Sequence, residues 1–100
     1  MTIKLIYSPH TSKAAKHGFN YAIEIPKRRR RGGGRGVRTF YTIKVYRSIK
    51  TICQDRLGNP YQIDWQRPGK TRKWFLDDRC TFDRFYFKSD AARTLVLMCM

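Results

Sequence analysis

Acidic residues are scarce in this chain. There are 7 Asp and Glu against 22 Lys and Arg in 100 residues, so the formal charge is 22 − 7 = +15. Self-repulsion at that level costs stability unless something acidic is bound. The balance therefore points to nucleic acid first. An anionic membrane surface and an acidic protein surface follow as weaker readings. So few carboxylates also leave little for acid–base or metal-dependent catalysis. Asp77, Asp78 and Asp83 are near enough in sequence to meet across a hairpin, as a metal-dependent nuclease would need. Pairing with the abundant arginines is the simpler task for them.

Cysteine and histidine are also few. Cys53, Cys80 and Cys99 are odd in number and widely spaced, which argues against a disulfide framework. No Cys-x-x-Cys occurs, and His10 and His17 fit neither a helical i, i+4 pair nor a zinc-finger spacing, so no metal site is expected. The cysteines read as buried small apolar residues. Long apolar runs are missing too. "MTIKLIYSPH" is too short in its apolar part for a secretory signal, and "TLVLMCM" falls well below the roughly 20 residues of a membrane span. A soluble protein of a reducing, cytoplasmic compartment is expected. "PGKT" resembles the end of a phosphate-binding loop, but Asp64 stands where that motif needs glycine.

What is present suffices for one folded domain spanning residues 1–100: 41% of residues are apolar and 14% aromatic. "TIKLIYS" alternates as a strand. "FNYAIEI" alternates cleanly, with Phe19, Tyr21, Ile23 and Ile25 on one face and Asn20, Ala22 and Glu24 on the polar one. Pro26 ends that ladder, since it has no N–H to donate. "TFYTIKVYR" alternates again, so residues 19–26 and 38–47 are predicted to form a hairpin. Residues 48–65 have two readings. Ile49, Ile52, Cys53 and Leu57 fit a helix face capped by Ser48 and stopped by Gly58. β-branched Thr51 and Ile52 and the "LGNP" turn favour a second hairpin reaching "YQIDW". "TRKWFLDD" and "FDRFYFK" read as strands. A helix follows Ser89, with Ala92, Leu95, Val96 and Cys99 in one stripe. The fold class is α+β: a small antiparallel β-sheet with a long basic β-hairpin tip and a C-terminal α-helix packed on the sheet.

The tip, residues 27–38, carries the chemistry. "KRRRRGGGRGVR" holds Lys27, Arg28, Arg29, Arg30, Arg31, Arg35 and Arg38 with four glycines. Guanidinium groups fork onto phosphates and stack on bases, and glycine lets the backbone approach a phosphate closely. A second basic cluster, Arg67, Lys70, Arg72 and Lys73 (with Arg79 beyond), surrounds Trp65, Trp74 and Phe75. Basic residues interleaved with aromatics are the composition of a single-strand platform. Phe40, Lys44 and Tyr46 would line an exposed strand face, although the consensus of RNA-recognition strands is missing there.

These residues predict a non-enzymatic nucleic-acid-binding protein that needs no cofactor. RNA, free or in a ribonucleoprotein, is slightly favoured over DNA because no groove-sized recognition helix is evident. Phosphate contact should dominate, so sequence specificity should be low. Size and charge are in the style of a virus-encoded accessory protein. The alternatives are an inhibitor docking its basic surface on an acidic protein site, and a structural protein of a ribosome-like or capsid-like particle.

Overall fold

A computed structural model describes residues 3–7, 18–28, 36–58, 73–78 and 82–100. Four antiparallel strands and two helices occur among them, in the order β1 (Lys4–Tyr7), β2 (Tyr21–Pro26), α1 (Phe40–Leu57), β3 (Trp74–Asp77), β4 (Phe82–Phe87) and α2 (Asp90–Met98). The strands form one sheet in the order β1-β2-β4-β3. The α+β class, the antiparallel sheet and the C-terminal helix agree with the sequence.

Register puts side chains in rows across all four strands. Leu5, Ile23, Phe85 and Leu76 make one row, and Tyr7, Tyr21, Phe87 and Trp74 the next. Both rows face the helices. The main core joins Ile23, Ile25, Trp74, Phe85 and Phe87 of the sheet to Tyr46, Ile49 and Cys53 of α1 and Val96 of α2. Burying each large side chain there contributes about 1.5–3 kcal/mol. On the other face, Ile6, Ala22, Tyr86 and Phe75 form a row, joined by Phe19 in a second buried cluster. Beside it runs a charged row of Lys4, Glu24, Arg84 and Asp77. Ala22 and Glu24 are buried, so the face of β2 predicted to be polar and outward is covered. The central strands β2 and β4 are thus buried over much of both faces, with Glu24, Asp83 and Arg84 as their charged members.

The predicted hairpin of residues 19–26 with 38–47 does not form. β2 pairs with β1 and β4, and residues 40–57 are one 18-residue helix. The second predicted hairpin fails in its first strand for the same reason; "YQIDW" lies outside the described residues. Thr42, Tyr46, Ile49 and Cys53 fall at i, i+4, i+7 and i+11 and are the buried stripe of α1. Thr39, and not Ser48, caps the helix. Its Oγ1 accepts from the Thr42 N–H at 3.2 Å, and the Thr42 Oγ1 accepts from the Thr39 N–H at 2.6 Å. Gly58 has φ +82°, which stops the helix as the sequence suggested.

α2 starts as predicted, with the Ser89 hydroxyl accepting from the Ala92 N–H at 3.1 Å. Its buried side is Ala92, Val96 and Leu97; Leu95 and Cys99 are exposed, contrary to the predicted stripe. Arg93 turns the helix that way. Its guanidinium donates to the Ile6 carbonyl at 3.0 Å and the Ala22 carbonyl at 3.3 Å, and to Asp90 at 2.7 Å.

Candidate nucleic-acid interface

From Ile25 through Gln54 the chain holds ten basic residues and no acidic one. Five of the six described members of this set fall into two kinds, and the sixth, Lys50, is half-buried with its ammonium 5.7 Å from the Tyr46 ring centroid. Lys27 and Arg38, at the two ends of the Arg/Gly insert, are tied inward. Arg28, Lys44 and Arg47 face solvent.

The inward pair anchors the insert. Arg28 and Val37 form an isolated antiparallel bridge, with two backbone hydrogen bonds of 2.8 Å. This rung closes the ends of the insert itself and is no part of the predicted pairing of residues 19–26 with 38–47. Directly beside it, Asp83 of β4 is fully buried with a side-chain exposure of 0%, and Lys27 is at 3%. The Arg38 guanidinium forks onto Asp83, with Nε and Nη2 each 2.9 Å from a carboxylate oxygen. The Lys27 ammonium lies 3.4 Å from the same carboxylate and donates to the Asp78 carbonyl at 2.6 Å. Asp78 adds a 3.4 Å contact to Arg38 and accepts from the Tyr46 hydroxyl at 3.3 Å.

The Arg38 guanidinium also lies 3.8 Å from the Tyr46 ring centroid, a cation–π contact. Its pKa is raised by its hydrogen bonds to Asp83, outweighing partial burial. Burial, then the Asp78 charge, raises the pKa of the Tyr46 phenol. Two cations, two carboxylates and a phenol thus close a clamp between the β3–β4 connection, the insert and α1.

The clamp reassigns three candidate residues. Lys27, Arg38 and Tyr46 hold the base of the insert and are largely turned away from solvent. Acid pairing extends further. Arg84 bonds Glu24 at 2.8 Å and the Tyr86 hydroxyl at 3.1 Å, and its guanidinium sits 4.0 Å from the Phe82 ring centroid. Asp78 and Asp83 are both engaged by this internal pairing, the simpler task expected of them.

Of the other candidates, Arg28, Lys44 and Lys73 are exposed. Arg29, Arg30, Arg31, Arg35, Arg67, Lys70 and Arg72 lie outside the described residues, as do Arg79 and Trp65. Trp74 is core and stacks on Phe85 at 6.1 Å. The sequence reading missed Arg47, on the outward face of α1 one turn beyond Lys44. Tyr41 was not among the candidates either, and the structure exposes it.

Cys53 is buried, which pushes its thiol up to about 12, whereas Cys99 is exposed. Cys53 therefore cannot act as a thiolate near neutral pH. In a Cys80→Ser variant, an aryl disulfide at about pH 8 should label Cys99 quickly and Cys53 only after denaturation. Rapid labelling of both would contradict this packing. No group of three or more His, Cys, Asp or Glu able to hold a metal ion occurs among the described residues. No helix among them is long and apolar enough to cross a membrane. Compared with protein-family models, curated proteins and solved structures, the chain matches none.

Proposed function

We propose that this chain is a non-enzymatic nucleic-acid-binding protein that grips the phosphate backbone through the Arg/Gly segment and the outward side of α1. One observation carries the reading. The acid-free stretch holds ten cations, and two of them, Lys27 and Arg38, are neutralised at its base by Asp78 and Asp83. The clamp spends its acids on the base, and Arg28, Lys44 and Arg47 stay directed at solvent. A phosphate polymer is the partner that repeated guanidinium and ammonium groups match best.

α1 alters one part of the expectation. An 18-residue helix with Lys44 and Arg47 on its outward face weakens the argument for RNA that rested on lacking such a helix. Phosphate contact is the shared chemistry of both polymers.

The test is binding of nucleic-acid-free protein to labelled single-stranded RNA, duplex RNA and duplex DNA between about 50 and 200 mM salt. The log–log salt slope should be on the order of −4 to −7. Binding that ignores salt, or no binding to any of the three, would overturn the proposal. A protein partner retained after nuclease treatment at high salt would favour docking on an acidic protein surface instead.

A further inference from the structure

Among the described residues, Phe19, Trp74, Phe85 and Phe87 are fully buried. Phe40 and Tyr41 are the opposite, 68% and 72% exposed, and they are neighbours at the first turn of α1. Their ring centroids lie 5.8 Å apart, nearly edge to face. Neither belongs to a core cluster, so each forgoes the stabilisation a buried ring would bring. The first turn of a helix is also where acidic residues are most stabilising. α1 has none there. Cations lie beside it. Lys44 sits 4.4 Å from the Phe40 ring centroid, and Arg47 lies one turn further along the same face.

The position is also fixed. Arg38 is held by Asp83 and Tyr46, and Thr39 closes the capping box, so the residues leading into Phe40 are bonded in place. The rings are thus presented from an anchored element, between the end of the Arg/Gly segment and a basic helix face. Aromatic faces beside cations are how proteins hold unpaired bases: the rings stack while the cations meet the flanking phosphates.

We propose that Phe40 and Tyr41 stack unpaired nucleobases, so that the preferred ligand is single-stranded nucleic acid. This rests on the phosphate-grip reading and adds the class of strand to it. Lys44 and Arg47 serve the phosphates on either side of the stacked bases. In a duplex the bases are paired and stacked on one another, and the rings have nothing to receive.

The probes are a strand of about twelve nucleotides, the same phosphodiester chain without bases, and a duplex of equal length, each made as RNA and as DNA. The variant is Phe40→Ala with Tyr41→Ala. Both side chains are exposed, and thermal unfolding of the variant checks that the fold is kept; Phe40→Tyr with Tyr41→Phe, which preserves the rings, serves as the second variant. Wild-type protein should prefer the base-bearing strand over the abasic one. The alanine variant should lose about 10–100-fold on the base-bearing strand and little on the abasic strand or duplex, with its salt slope unchanged. The ring-preserving variant should bind like wild type. Equal binding of wild type to the base-bearing and abasic strands would overturn the inference, as would an alanine variant that binds normally or loses affinity equally for all probes. In those cases a steep salt slope would leave the phosphate grip standing. If wild-type protein binds no probe at all, the grip itself is wrong. The RNA and DNA arms show which sugar the stacked strand carries.

Discussion

Replacing Asp83 with Asn is expected to destabilise the fold by about 3–5 kcal/mol, the usual cost of stranding a buried charge. Asp83 is inaccessible, and it is the carboxylate that both Lys27 and Arg38 reach. Without its charge, Lys27 keeps the Asp78 carbonyl and Arg38 keeps the 3.4 Å contact with Asp78. Neither substitutes for a buried anion. Small domains hold only about 5–15 kcal/mol in total, so the variant should unfold at a clearly lower urea concentration. The energy lies in leaving cations uncompensated, more than in the pairs themselves. A triple variant, Lys27→Met, Arg38→Met and Asp83→Leu, should therefore lose less than the single Asn variant. A loss below about 1 kcal/mol for Asp83→Asn would show that the clamp does not organise the base of the insert.

Trp74→Ala is expected to cost a similar amount, about 3–5 kcal/mol. The indole is fully buried, stacks on Phe85 with ring planes 25° apart, and donates from Nε1 to the Gly58 carbonyl at 2.8 Å. That bond ties the end of α1 to the edge strand β3. Trp74→Phe keeps part of the volume and loses the bond, so a smaller loss follows. The pair of variants separates packing from base stacking. If Trp74 is core, Trp74→Phe lowers stability and leaves affinity for nucleic acid unchanged under conditions where the protein is folded. Weakened binding at unchanged stability would contradict the structural placement.

The strands were legible because alternation over five or more residues is a local signal. β2 shows it, and Pro26 ends β2 where its missing N–H requires; β4 was legible instead from its aromatic content. The C-terminal helix was legible from Ser89 and the small and apolar residues after it. Of α1 only the second half was, as one of two readings, from Ile49, Ile52, Cys53, Leu57 and the Gly58 stop. Phe40 to Tyr46 is rich in aromatic and β-branched residues and alternates, so by itself it resembles a strand. Its helical stripe emerges only when residues 40–57 are read together, from Thr42 to Cys53. The cap is also unusual: Thr39 and Thr42 bond each other, where the recognisable form of a capping box has Glu or Gln.

The candidate site was legible as charge and not as geometry. Ten cations without an acid are visible in the sequence. That Lys27 and Arg38 turn inward is not, because their partner Asp83 lies 45 residues beyond Arg38. Tyr46 was taken for an exposed ring on a strand. As part of a helix, its position falls on the buried stripe, under the Arg38 guanidinium.

The central claim is that the arginines of the insert hold phosphate while its base is held by the protein. Changing Arg28, Arg29, Arg30 and Arg31 together to Ser, with Lys27 and Arg38 intact, tests it most directly. The salt slope for one labelled strand is measured for wild type and variant, beside their unfolding midpoints. The account predicts a slope smaller by about 2–4 units at an unchanged midpoint. An unchanged slope would contradict it, because the arginines would then release no counterions and the binding would belong to another surface.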